Sequence, residues 1–179
     1  MQSLSQSFFA DDAVVVAQKL LGKIISFNGC SGRIVETEAY TTDEASHGFR
    51  LTPRSQIMKD TYGHIYIYLI YGMYYCLNFT TNKGSVGAVL IRAVEPLQGV
   101  EVMKQRRKTV QVANLCKGPG KLCQAFDITK DINGVRIGNE FKIYDSSLSF
   151  EMGVSIRKGI TKETELLWRF FIKNNAFVS

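Results

Sequence analysis

Residues 24–40 read Ile24-Ile25-Ser26-Phe27-Asn28-Gly29-Cys30-Ser31-Gly32-Arg33-Ile34-Val35-Glu36-Thr37-Glu38-Ala39-Tyr40. The run 24–27 has strand character, and residues 32–40 form the expected return strand. Asn28-Gly29 between them is a strong hairpin signal, because a two-residue turn needs positive φ and both residues tolerate it. Side chains alternate along a strand, so Ile34, Glu36, Glu38 and Tyr40 are expected on one face, with Val35, Thr37 and Ala39 on the other.

Upstream of the hairpin, residues 10–21 are predicted helical. Val14, Val15, Ala17, Leu20 and Leu21 form the apolar stripe, Asp11 and Asp12 sit in the first turn, and Gly22 ends the helix. Downstream, residues 41–60 are polar and turn-rich, an exposed loop with short helical pieces. Strands are expected at 65–71, at 73–80 after Gly72, and at 87–94, where Glu95-Pro96 ends the run. A helix is expected over 100–108, then a turn at Gly118-Pro119-Gly120 and a short helix over 121–126. Late strands fall at 141–144 and 169–173, and a helical turn at 163–167. With no repeat, low-complexity tract or linker, residues 1–179 suit a single α+β domain built mainly of antiparallel strands.

Hydrophobic residues make up 45%, which excludes the disordered, collagen-like and coiled-coil classes. The net charge of +6 fits either an anionic partner such as nucleic acid or an ordinary soluble surface. Cys30, Cys76, Cys116 and Cys123 form no C-x-x-C pair, and His47 and His64 lack metal-site spacing to them. The N-terminal residues do not read as a signal peptide, and the most apolar stretch, 65–77, is too short to span a bilayer. A reduced, soluble, intracellular protein with no membrane partner is expected.

Three features can carry chemistry. Glu36 and Glu38, two apart on a strand, project the same way with Cα atoms roughly 7 Å apart. If buried, such a pair suits acid–base work, although a solvated strand face is the commoner use. Tyr62, Tyr66, Tyr68, Tyr71, Tyr74 and Tyr75 crowd one segment, as core rings or as a stacking surface for nucleobases. Lys104, Arg106, Arg107 and Lys108, followed by Lys117 and Lys121, form a solvated basic run that becomes phosphate-directed only if the aromatic site lies beside it. Gly118-Pro119-Gly120-Lys121 is not a P-loop, since position 115 is Leu and position 122 is Leu. There is no G-x-S-x-G elbow and no dinucleotide fingerprint.

Taken in order, Leu20-Leu21-Gly22-Lys23, 32–40, Ala45-Ser46-His47, Thr52-Pro53-Arg54, Tyr66-Ile67-Tyr68, Tyr71-Gly72-Met73 and Cys76-Leu77-Asn78 resemble the alkyladenine (3-methyladenine) DNA glycosylase family. So do 88–93, Glu95-Pro96-Leu97, 118–122, Trp168-Arg169-Phe170 and Val178-Ser179, and the resemblance spans nearly the whole chain. It implies a curved, mainly antiparallel sheet with flanking helices and a protruding β-turn that enters DNA.

The activity implied is removal of damaged purines by hydrolysis of the N-glycosidic bond after base flipping. Candidate bases are 3-methyladenine, 7-methylguanine, hypoxanthine and ethenoadenine. By the same resemblance Glu38 deprotonates the attacking water, with Arg92 and the Val178 carbonyl positioning it. Tyr40, His47, Tyr68, Asn78 and Leu90 line the base pocket. Tyr71 fills the gap in the stack beside Met73, and Arg50, Thr52, Arg54 and Lys121 touch the backbone. No metal or organic cofactor and no strand cleavage are implied, and a monomer is expected because the DNA face must stay free. The partner would be double-stranded DNA containing damaged purines, in the cytoplasm of a bacterium or the nucleus of a eukaryote. Two other classes fit the residues alone: a non-catalytic module stacking bases on its tyrosines, and a nucleoside or nucleotide hydrolase using the Glu pair.

Overall fold

A computed structural model describes residues 2–179. The Asn28-Gly29 turn forms with φ of 50° and 75° and joins β1 (Ile24–Phe27) to β2 (Cys30–Tyr40), with Phe27 paired to Cys30. β2 is the hub. Its first half pairs with β1, its opposite edge with β5 (Ala88–Gln98), and residues 36–38 with β8 (Arg169–Ile172). β3 (Ile65–Ile70) and β4 (Tyr74–Thr80) make a second hairpin that adds to β5. β6 (Lys142–Tyr144) pairs with β1, and β7 (Met152–Ser155) with β8. Every pairing between these strands is antiparallel, in the order β3-β4-β5-β2-β1-β6, with β8 and β7 branching from β2. The result is the expected α+β architecture with a curled antiparallel sheet.

Period-two alternation sorts the central strands into two faces. Ile65, Ile67, Leu77, Phe79, Val89, Ile91 and Ala39 enter the hydrophobic core. Helices α1 (Ala13–Leu20) and α4 (Pro119–Phe126) pack against this sheet, and α3 (Val100–Arg107) packs on α4. The alternate residues Tyr40, Tyr66, Tyr68, Cys76, Asn78, Ala88, Leu90 and Arg92 line a cleft instead. Short α2 (Ile57–Asp60) brings the buried Met58 against Tyr66, Val86 and Ala88 beneath it. The Thr37 hydroxyl donates to the Ala17 carbonyl at 2.9 Å and ties α1 to β2.

Several local expectations are corrected. α1 starts at Ala13, because the Asp12 side chain accepts from the Val14 amide at 2.8 Å and so caps the helix. Its buried face is Ala13, Val16, Ala17 and Leu20, while Val15 is exposed. β5 does not stop at Glu95-Pro96 but runs to Gln98. β4 pairs only with residues 88–90, so Pro96 lies where β5 has β2 alone as neighbour and its missing N–H breaks no ladder. Pro119 opens α4 rather than preceding it, the favoured place for a proline. Residues 163–167 hold a turn with Glu163 at φ 49° and no helix, and β7 was not foreseen.

The strict alternation of β2 fails as well. The pairing with β5 slips by one between Ile34 and Glu36 and slips back between Glu36 and Thr37, leaving Val35 and Arg92 without direct partners. Ile34 and Val35 both go to the core, so Ile34 does not share the carboxylate face in the simple way that alternation demands. All four cysteines are free and buried. No helix among the described residues is long and apolar enough to cross a membrane.

Candidate active site

The cleft has a volume of about 740 Å³ and opens between the β3–β4 hairpin, the 45–47 turn and the start of α4. Its aromatic wall comes from alternate residues of β3. The Tyr66 and Tyr68 ring centroids lie 5.7 Å apart, and His47 meets Tyr68 edge-on at 4.6 Å. His47 Nδ1 and the Tyr66 hydroxyl share a 2.8 Å hydrogen bond. Burial, with the Arg54 charge next, lowers the His47 pKa and keeps the ring neutral near pH 7. Burial likewise lifts the Tyr66 hydroxyl to about 12. On β4, Asn78 is buried, and its amide nitrogen donates to the carbonyls of Tyr66 (3.1 Å) and Cys76 (3.2 Å). Both N–H groups are thus used on backbone, and the amide oxygen remains for an occupant of the cleft.

The two carboxylates are wholly buried, which overturns the solvated-face reading. Their surroundings differ. Glu36 Oε1 accepts from Arg169 Nε at 2.6 Å and Arg92 Nε at 3.2 Å, and Oε2 from the Ser179 amide at 2.6 Å. Burial alone would raise its pKa, but the Ser179, Arg169 and Arg92 donors outweigh burial and hold the carboxyl below its ordinary range. Glu38 Oε2 accepts from the Tyr40 hydroxyl at 2.8 Å and Arg92 Nη1 at 3.3 Å, and Oε1 from the Lys158 amide at 2.7 Å. All three of its donors line the cleft, so Glu38 lies directly behind the cleft wall. Arg92, displaced by the register slip on β5, bridges both carboxylates. Burial and the Glu38 charge push the Tyr40 phenol strongly upward, so it remains a hydrogen-bond donor.

Tyr40, His47, Tyr68, Asn78, Leu90, Arg92, Tyr71 and Lys121 therefore converge on one cleft. Tyr71 and Met73 stand at the three-residue tip between β3 and β4, 78% and 64% exposed, with Tyr71 at φ 54° and Gly72 at φ 68°. Arg50, Thr52 and Arg54 sit on the exposed loop beside His47 and outside the cleft lining. Val178 packs on the core and donates its amide to Asn175. The following residue, Ser179, is the one that meets Glu36. Arg107 and Lys117 line the cleft with Lys121, which meets the condition for a phosphate-directed basic run. Lys104 is instead paired with Glu101, and Arg106 bonds the Ala125 carbonyl.

Sequence reasoning gave no role to Arg157, Lys158 or Arg169. Arg169 had a signal, since it lies in the Trp168-Arg169-Phe170 motif. Arg157 had none, because its burial depends on partners at Ala39, Tyr40 and Asp43, more than a hundred residues away in the chain.

Curated relatives cover almost all of the chain. One from Rhizobium etli is 46% identical over 97% of this chain and 87% of its own length. One from Prosthecochloris aestuarii is 43% identical over 100% and 92%. A third, from Clostridium acetobutylicum, is 41% identical over 98% and 97%. Each bears, as a provisional name, 3-methyladenine DNA glycosylase. The family model described as methylpurine-DNA glycosylase matches residues 7–176. A cleft of stacked aromatics with buried carboxylates behind it accords with that match, and the chain belongs to the methylpurine-DNA glycosylase family of DNA glycosylases.

Proposed function

We propose that this chain, acting as one glycosylase domain over residues 1–179 and as a monomer, flips alkylated or deaminated purines out of double-stranded DNA. It then hydrolyses their N-glycosidic bond and leaves an abasic site. The candidate bases are 3-methyladenine, 7-methylguanine, hypoxanthine and ethenoadenine. The observation that carries this reading is Glu38, fully buried and held by three donors directly behind an aromatic cleft. A module that only stacks bases has no use for two desolvated carboxylates.

In the proposed reaction the flipped base stacks between Tyr40 and the His47–Tyr68 wall above Leu90. Cationic purines gain from the electron-rich rings. Asn78 reads the base edge. The C1′–N bond breaks with its electron pair leaving on the base, and positive charge develops on the sugar. The anionic Glu38 stabilises that charge and takes the proton from the water that bonds to C1′. Arg92 and the Val178 carbonyl position the water. Glu36, saturated by Arg169, Arg92 and Ser179, orients Arg92 rather than reacting. Tyr71 fills the vacated stack with Met73 beside it. Arg50, Thr52, Arg54 and Lys121 contact phosphates.

Glu38→Gln tests this. In single turnover on a duplex carrying a methylated purine, base release should fall by about 10²-fold or more while lesion binding persists. Release at the wild-type rate would remove Glu38 from the mechanism.

A further inference from the structure

Arg157 follows β7, and its side chain is entirely buried, with Nε left without a partner. A buried ion pair of Arg157 with Asp43 carries a desolvation penalty that fold stability alone does not require, since apolar side chains in place of both partners would fill the space at least as favourably. Its contacts suggest another reason. The guanidinium carbon lies 4.7 Å from the centroid of the Tyr40 ring and 5.2 Å from that of Trp168, so the cation is flanked by two aromatic faces. Nη1 donates to the Ala39 carbonyl at 3.1 Å and Nη2 to Asp43 at 2.7 Å. Asp43 in turn accepts from the amides of Thr41 and Ala45, both at 3.2 Å, and so fixes the turn that leads to His47.

Both of the neutral donors that hold Glu38 are attached to this group. The Tyr40 ring rests on the guanidinium, and its hydroxyl donates to Glu38 Oε2 at 2.8 Å. Lys158 is the next residue in the chain, and its amide donates to Glu38 Oε1 at 2.7 Å. We infer that Arg157 is a positioning residue for base release, a single buried guanidinium that fixes the donors on the two oxygens of Glu38 and supports the Tyr40 face of the cleft. The inference rests on the assignment of Glu38 proposed above. It needs arginine and not merely a positive charge, because only a planar fork can stack on rings while bonding a carbonyl and a carboxylate edge-on.

The test compares wild type with R157K, R157M, D43N, Y40F and the double variant Y40F/R157M. A duplex carrying one methylated purine is used, with active sites titrated first. R157K and R157M should each slow single-turnover release at saturating enzyme by about tenfold or more, the scale on which small misplacements act. Their Kd for the lesion duplex should stay within about threefold of wild type, a split that general loosening of the fold would not give. D43N should fall between wild type and R157K. R157M should slow release less in the Y40F background than in the wild type, since part of its effect runs through the Tyr40 hydroxyl. Wild-type release rates in R157K and R157M overturn the inference. So does unfolding of R157K, R157M and D43N alike, or a loss explained wholly by Kd or by the active fraction, any of which makes Arg157 structural. A wild-type protein that releases no base, or Glu38→Gln at full rate, instead overturns the assignment of Glu38.

Discussion

Behind the cleft wall Glu36 and Glu38 have no exposed surface, and each of their four oxygens accepts at least one hydrogen bond. At the tip of the β3–β4 hairpin Tyr71 and Met73 are 78% and 64% exposed. The first region is complete in the free protein. Its donors come from β2, β5, β8, Lys158 in the segment after β7, and Ser179, so five separate parts of the chain fix one charge arrangement before any substrate arrives. The second has apolar area facing water and two successive residues at positive φ, a shape suited to a partner that covers it. In the reaction proposed above, fixed dipoles around Glu38 need no reorganisation at the moment of reaction, whereas Tyr71 as the proposed wedge must stay open until the duplex is there. On that proposal the work is divided between a part that must not move and a part that must not be covered.

The contrast predicts opposite responses to substitution. The largest effect belongs to Glu36→Ala, which leaves Arg169 and Arg92 facing each other without their shared counter-ion. Removing one partner from a buried ionic network costs about 3–5 kcal/mol, so a sharp fall in urea midpoint is expected. The same residue gives a pH signature. Because its folded-state pKa is depressed, the stability it contributes is full above the unfolded carboxyl value near 4.3 and is lost as pH falls through the folded value. Glu36→Gln should flatten that acid limb. A midpoint unchanged by either substitution would mean that the region is not the rigid part.

Tyr71→Ser should do the reverse. Its Tm should stay near wild type, as for most exposed positions, while excision from duplex falls by about ten- to a hundredfold. Excision from a single strand, where no stack needs filling, should change much less. Equal losses on both substrates would break the comparison. The smallest effect is Gly72→Ala. A Cβ there meets nothing within 4 Å, so only the φ of 68° opposes it, and about 1 kcal/mol of stability should be lost in a thermal melt.

The parts of the fold that were legible in sequence are those whose cause is local. Asn28-Gly29 and the β3–β4 tip are turns that their own residues specify, and the shared cleft face of Tyr66 and Tyr68 on β3 is what a strand period of two requires. The parts that were not legible depend on distant partners. The register slip that puts Ile34 in the core and Arg92 between two carboxylates belongs to a strand pair whose facing residues there lie roughly sixty positions apart in sequence. Pro96 read as a strand end, and only the absence of β4 beside it permits β5 to continue. At the site, residue pattern alone could not choose between Glu36 and Glu38. The resemblance favoured Glu38, and the structure gives the physical difference: one carboxylate is saturated by two arginines and an amide, and the other is held by groups that themselves face the cleft.

The buried cysteines have a consequence for the conditions under which such a protein works. Cys30, Cys76, Cys116 and Cys123 are each 2% exposed or less. Burial raises all four thiol pKa values, to about 11 for Cys76 and about 12 for Cys116. A thiol that stays protonated and out of contact with solvent is a poor nucleophile. Electrophiles that methylate purines therefore meet no ready thiolate at any of these four cysteines.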